Sequence, residues 1–574
     1  LTLEGDADNA ADTATTGDRV TIATGLTLTS AGLMTLDTTT GGIIGAGALT
    51  LTSNGGVTVN NNLTTAGVTT INADSGADGT GDFISNAGIL ATGGAALSIT
   101  ANDITLTGAL NSGAGSTTLL VSDGGTIGLG ATAGNYTLSG AELQNITATG
   151  LVLGNATTGG ITVNNITAAN SNNIAGTVTL NATLDNSTIT FVTAASTFNA
   201  LTANADDRIT VNVDISTDVG NLALDGDVDN GIDVNDDIVF ANGVTLTTAS
   251  GLTLSATNGG LNPLGALTLS AANGLAFGAN LTVGGTTILN ADNDANGTGT
   301  FTVNGGATVS TAGNPLTVIA ADIDLTNGSI TSGAAATALR PTNGRTIGLG
   351  DTAGDFTLSG AELQNITATG LTIGDVNSGS ITVNGITAAN SNNITGTVTL
   401  NATRDNATID FATGASTFNA LTANADDGVA VNVALTTDVG ALTLEGDADN
   451  AADTATTGDQ VTFAAGLTLT SAGLLSIDAT TGGIVGAGAL TLNAISGVTL
   501  NNNLTTAGAT VINADSNADG TGAFTIAAGA SLGTGGNTLI VTADDMAITG
   551  SLTATGSTVS LIILRSRQNP KIFG

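Results

Sequence analysis

The chain has no cysteine, no histidine and no tryptophan, and among its 574 residues only 4 are proline and 8 are lysine or arginine. Without cysteine no disulfide can staple the fold and no thiolate metal site can form. A cysteine-free chain suits export in unfolded form through a narrow pore, because nothing can cross-link early. Aromatic residues make up 2%, so the expected core is narrow and filled by Leu, Ile, Val and Ala. Basic residues are so few against 46 acidic ones that the net charge is −38, which repels phosphate backbones and anionic lipid and excludes nucleic acid as a partner. Calcium and cationic surfaces stay open. No apolar run approaches the roughly 20 residues that span a bilayer, and no basic region followed by a hydrophobic segment opens the chain, so membrane insertion by these residues is not expected.

What is present argues against disorder. Hydrophobic residues are 41% and charged residues 9%, and Val, Ile and Leu recur in short alternating runs that a solvated chain has no reason to keep. The 82 glycines, with abundant Thr, Asn and Ala, describe tight turns between strands that proline rarely breaks.

Self-similarity organises the chain. The opening from Leu1, with Glu4, Asp6 and Asp8, returns with variation at Leu222 and again at Leu442, an almost constant spacing. A second landmark, LSGAELQNITATGL, starts at Leu138 and at Leu358. The repeats therefore run over 1–221, 222–441 and, in part, 442–564. The middle copy is three residues shorter between Asp233 and Ile238 than the first between Asp12 and Val20, inside an acidic loop where a length change leaves strand faces intact. Leu1 aligns with Leu442, which continues without a break from Thr437-Asp438-Val439-Gly440-Ala441, so the array is expected to extend before Leu1. Residues 565–574 form a basic tail outside the repeat.

Within each repeat the signal has period two, as in Leu26-Thr-Leu28, Leu49-Thr-Leu51 and Val57-Thr-Val59, with apolar residues facing in and Thr facing out. These short runs alternate with Gly, Asn, Asp or Ser clusters. An antiparallel sandwich closes after a handful of strands, whereas here similar strands continue through more than two repeats, which favours coils stacked along one axis. The expected fold is all-β, a right-handed parallel β-helix with single-stranded coils of about 20 residues, about eleven per repeat. At roughly 4.8 Å per coil the expected rod is on the order of 140 Å long. Asn60-Asn61-Asn62 and its copy Asn501-Asn502-Asn503 suit turns and ladders between coils.

One constellation suggests ion chemistry. Asp225, Asp227, Asp229, Asp233 and Asp236 stand at relative positions 1, 3, 5, 9 and 12, the ligand spacing of a calcium loop. Asn230 occupies the usual Gly position, no Glu closes the loop, and the other copies carry Glu4 or Glu445 at the start and Thr15 or Thr456 at the twelfth place. The competing reading is a solubilising turn, and no other cofactor is expected. A second loop, Asn72 to Gly81, reads as ordinary corner chemistry. Catalysis finds little support: Glu142 and Glu362 recur at matching places without an acidic partner, and Arg19, Arg208, Arg340, Arg345 and Arg404 are scattered.

The phrases TIGLG at Thr126 and Thr346, LSGAELQNITATGL, GITVNNITAANS at Gly160 and INADSGADGTG at Ile71 resemble the long repeat regions of filamentous-haemagglutinin-type exoproteins of Gram-negative bacteria. The resemblance covers nearly all of residues 1–560. It implies two-partner or autotransporter-like export, a β-helical shaft, a place at the cell surface or outside it, and partners on host or neighbouring cells, glycans or a second copy, in adhesion or biofilm formation. The family's N-terminal secretion domain is not among these residues, and neither an Arg-Gly-Asp triplet nor a basic heparin-binding patch is evident. A structural surface-layer or matrix fibre, and more distantly a polysaccharide-acting enzyme, are the alternatives.

Overall fold

Strands form wherever Leu, Ile or Val alternates with Thr, Ser or Asn. In Leu49–Ser53 the first, third and fifth side chains are buried and the two between are half-exposed, as the pleat requires. The computed structural model describes residues 1–11, 17–233, 235–451, 458–554 and 556–564, in two compact bodies, Leu1–Gly284 and Gly285–Gly574. Thr15, Thr456 and the basic tail lie outside the described residues.

In the first body successive strands pass through three sheets in rotation. Thr2–Glu4 is followed by Val20–Ile22 and Leu26–Ser30, and the next strand, Met34–Asp37, pairs in parallel with Thr2–Glu4. Ile43–Gly45 then pairs with Val20–Ile22 and Leu49–Ser53 with Leu26–Ser30, again in parallel. This is a three-sided parallel β-helix. One register line runs through Leu26, Leu49, Thr69, Leu97, Thr117, Leu151, Val178, Leu201, Leu222, Leu252 and Leu275. In the second body an equivalent line joins Thr287, Leu316, Thr337, Leu371, Val398, Leu421, Leu442, Leu475, Val498, Phe524 and Met546.

The coils are unequal in length. The step from Leu49 to Thr69 is among the shortest of the first line and the step from Thr117 to Leu151 is its longest. Nearly every coil is longer than the one expected from the sequence, which corrects both the expected coil length and the expected eleven coils per repeat. Corners account for the difference, since they carry the acidic loop and an insertion. The insertion places Thr126–Gly130 between Tyr136–Leu138 and Gly160–Asn164, out of chain order. Two short helices follow, α1 (Gly140–Gln144) and α2 (Ala168–Ser171), and the same arrangement recurs with α3 (Gly360–Gln364) and α4 (Ala388–Ser391). Glu142 completes a capping box with Ser139, accepting from its backbone N–H at 2.9 Å, while its other oxygen takes the Leu106 N–H at 3.1 Å. Glu362 does the same for Ser359 and Leu325. The recurring glutamates thus pin a helix to the coil beneath it.

Repeat and coil are out of phase. Thr2–Glu4 and its copy Leu222–Asp225 are the first and twenty-seventh strands in chain order, and a step of twenty-six is not a multiple of three. The copy accordingly lies in the sheet of Leu26–Ser30, not in that of Met34–Asp37. The second body repeats the effect, with Ala336–Pro341 and its copy Val559–Ile563 in different sheets. Equivalent loops therefore turn by one face per repeat.

The interior is aliphatic, and Tyr136 with eleven phenylalanines, among them Phe83, Phe198 and Phe418, are buried in it. Threonine does not only face out. Thr65 and Thr69 are buried at a corner, 2.6 Å apart, and both donate to the Gly67 carbonyl. Outward asparagines form short ladders, Asn86 to Asn60 at 2.7 Å and Asn204 to Asn181 at 2.9 Å. No helix among the described residues is long and apolar enough to cross a membrane.

Tyr136 is fully buried and its hydroxyl has no hydrogen-bond partner, whereas its counterpart in the second copy is Phe356. Removing an unsatisfied buried hydroxyl without changing the ring recovers about 1 kcal/mol or more. Tyr136→Phe is expected to raise the denaturation midpoint; a lowered midpoint would show that the hydroxyl has a partner.

Candidate metal centre

The acidic loop rounds one corner of the first body, between Leu222–Asp225 and Asp237–Phe240. Of its five candidate ligands, Asp225 ends the first strand and accepts the Asp227 N–H at 3.2 Å. Asp227 turns inward, 1% exposed, and accepts the Asn258 N–H of the next coil at 2.6 Å. Asp229 is exposed and accepts from Gly231 N–H at 2.6 Å. Asp236, 3% exposed, accepts the Asp233 N–H at 2.8 Å. Among the described residues no three of these five bring carboxylate oxygens within 4.8 Å of one another. A calcium loop curls around its ion, whereas this segment must span from one sheet to the next and sends alternate aspartates inward and outward.

Asp233 instead joins Asp185 and Asp206, and one oxygen from each of the three lies within 4.8 Å of the others. They come from three successive coils, as the stacked positions Asn181, Asn204 and Asp225 show. Asp206 is buried, and its Oδ2 accepts the Asn186 N–H at 2.7 Å. Sequence spacing within a loop cannot reveal residues from other coils. A signal was nonetheless present: Asp185, Asp206 and Asp207 return in the next repeat as Asp405, Asp426 and Asp427.

The corner is strongly anionic. Asp206, Asp225, Asp227 and Asp233 are all held above the ordinary carboxylate pKa, first by removal from water and then by neighbouring aspartates. The nearby cation is Arg208, whose Nη2 donates to Asp237 at 3.3 Å and to Asn235 at 2.7 Å. In the other copy Gly428 and Gln460 replace Arg208 and Asp237 together, so that ion pair is absent as a unit.

The second body corrects the scattered reading of the arginines. Arg340 and Arg404 line one open depression with Pro341, Thr342, Asp375 and Val376. Arg345 lies close by, its Nη1 donating to the Asp355 carbonyl at 2.8 Å. The corresponding residues of the first repeat are Leu120, Gly125 and Leu184, so all three cationic side chains belong to the second copy alone. The Asn72–Gly81 loop is the corner it was read as: buried Asp74 accepts from Asp78 and Gly79 N–H groups and from the Ser122 hydroxyl.

Glu445, the counterpart of Asp225, is pushed up to about 7 by burial, with Asp478 and Asp447 adding to the shift. The unfolded chain loses this proton near 4.5, so between about 4.5 and 7 the folded state holds one more proton. The stabilising contribution is full below that window and lost as pH rises through it. In chelator, the urea midpoint is expected to fall from pH 5 to pH 8, and Glu445→Gln to flatten the fall; an unchanged slope in the variant contradicts the assignment.

No family model, no curated protein and no solved structure matches this chain.

Proposed function

We propose that the chain is a length of shaft from a secreted or cell-surface bacterial adhesin of filamentous-haemagglutinin type, acting in adhesion, aggregation or biofilm formation and not in catalysis. The observation that carries this reading is the uninterrupted parallel ladder in each body: ten register steps without a change of strand direction. Backbone bonds along such a ladder resist extension, while corners can vary without disturbing it. The repeat phrases at Thr126, Leu138, Gly160 and Ile71 supply the family resemblance. A net charge of −38 with no cysteine suits a chain exported unfolded and kept from clumping outside the cell.

The arginine depression favours an adhesive shaft over an inert fibre, because it brings two arginines to the lining of one opening on a chain otherwise poor in cations. Guanidinium binds carboxylate and sulfate oxygens through two parallel N–H donors. Beads carrying the 574-residue chain are expected to adhere to cells or to sulfated and sialylated glycans. Arg340→Ala with Arg404→Ala is expected to weaken that binding several-fold without lowering the melting temperature. Self-association in calcium with no binding to cells or glycans would replace this reading with a structural matrix fibre.

A further inference from the structure

Away from the acidic corners the fold satisfies its buried aspartates. Asp74, Asp292 and Asp515 each accept backbone N–H groups on both carboxylate oxygens from the turn that follows them. The acidic corner departs from that rule. Asp207, Asp227 and Asp236 are 6%, 1% and 3% exposed, and Oδ1 of each is buried with no hydrogen-bond partner. An ionised oxygen held from water without a donor is among the costliest groups a protein can bury, and a bound cation is the ordinary remedy.

The orphaned oxygens belong to the same acidic corner as the Asp185, Asp206 and Asp233 group. Asp236 is bonded to the Asp233 backbone, and Asp236 and Asp207 are both among the charges that raise the Asp233 carboxyl. Oxygens placed across a calcium ion at about 2.4 Å from each stand about 4.8 Å apart, the spacing within which the three outer carboxylates fall. An all-oxygen set of this charge selects a hard divalent ion, and its irregular, three-coil origin suits calcium better than the strict octahedron of magnesium.

We infer that this corner is a calcium site in which Asp185, Asp206 and Asp233 are the ligands, and that the ion offsets the uncompensated charge of Asp207, Asp227 and Asp236 at the same corner. The ion joins three successive coils at a point where repulsion otherwise pushes them apart. The described part of the second body repeats the orphaned oxygens and the turn. Oδ1 of Asp427 and of Asp447 is again buried without a partner, and Asn406 donates to Asp426 at 2.8 Å as Asn186 does to Asp206. The same turn and the same orphaned oxygens thus return with the repeat, although Arg208 does not.

Titration calorimetry of the chelator-treated chain with CaCl2 tests this inference. Calcium is expected to bind and to raise the melting temperature, and MgCl2 to bind at least tenfold more weakly. Asp185 is exposed, so Asp185→Asn should fold, and it should bind one calcium ion fewer than the unaltered chain. Asp225→Asn, inside the loop but outside the ligand set, should keep the full number. Absence of calcium binding by the unaltered chain, or an undiminished number of ions in Asp185→Asn, overturns the site.

Discussion

Everything in this protein hangs on the parallel backbone ladder. Each short strand gives its N–H and C=O groups to the coils before and after it, and this leaves its inward Leu, Ile or Val directly beneath the equivalent residue of the next coil. A slip of one residue would turn every inward side chain outward. The ladder therefore fixes strand register, as in Leu201 over Val178 and Leu222 over Leu201, and confines variation to corners. The three-residue difference between repeats lies in the acidic loop, and the insertion that carries α1 and α2 is also at a corner.

Stacking has an electrostatic consequence. Residues at equivalent corner positions of successive coils are brought together whatever their distance in sequence. With 46 acidic and 8 basic residues, carboxylates are bound to meet. Where the turn supplies its own N–H donors, as around Asp74, this is harmless. Where it does not, as around Asp227 and Asp236, the fold accumulates charge that asks for a counter-ion. The phase of the repeat moderates the effect, because a step of twenty-six strands moves each acidic loop to a new face instead of piling like charges along one edge.

The architecture was legible because strands alternate with period two and whole repeats return from Leu1 to Leu222 to Leu442, and both survive as residue patterns. Coil length was less so: corners carry no periodic signal, and Thr126–Gly130 inserts out of chain order, which spacing alone cannot show. The site was legible in part. Asp227, Asp229, Asp233 and Asp236 do gather at one anionic corner, but the carboxylates that join Asp233 in a three-oxygen cluster come from the two preceding coils. Asp185 and Asp206 become its neighbours only once the register is known. The arginine depression was hidden for the same reason, since Arg340 and Arg404 belong to different coils and stand far apart in the chain.

The stacked register is most directly tested by cross-linking, for which a cysteine-free chain is well suited. Thr179 and Thr202 are side by side on adjacent strands, although a full coil of chain separates them. With Thr179→Cys and Thr202→Cys introduced together, a thiol-specific cross-linker of about one strand spacing, ~5 Å, is expected to join them in nearly every folded molecule. Thr179→Cys paired with Thr21→Cys, several coils away, should remain unlinked. Failure of the first pair to link, or equal linking of both, contradicts a parallel stack of coils.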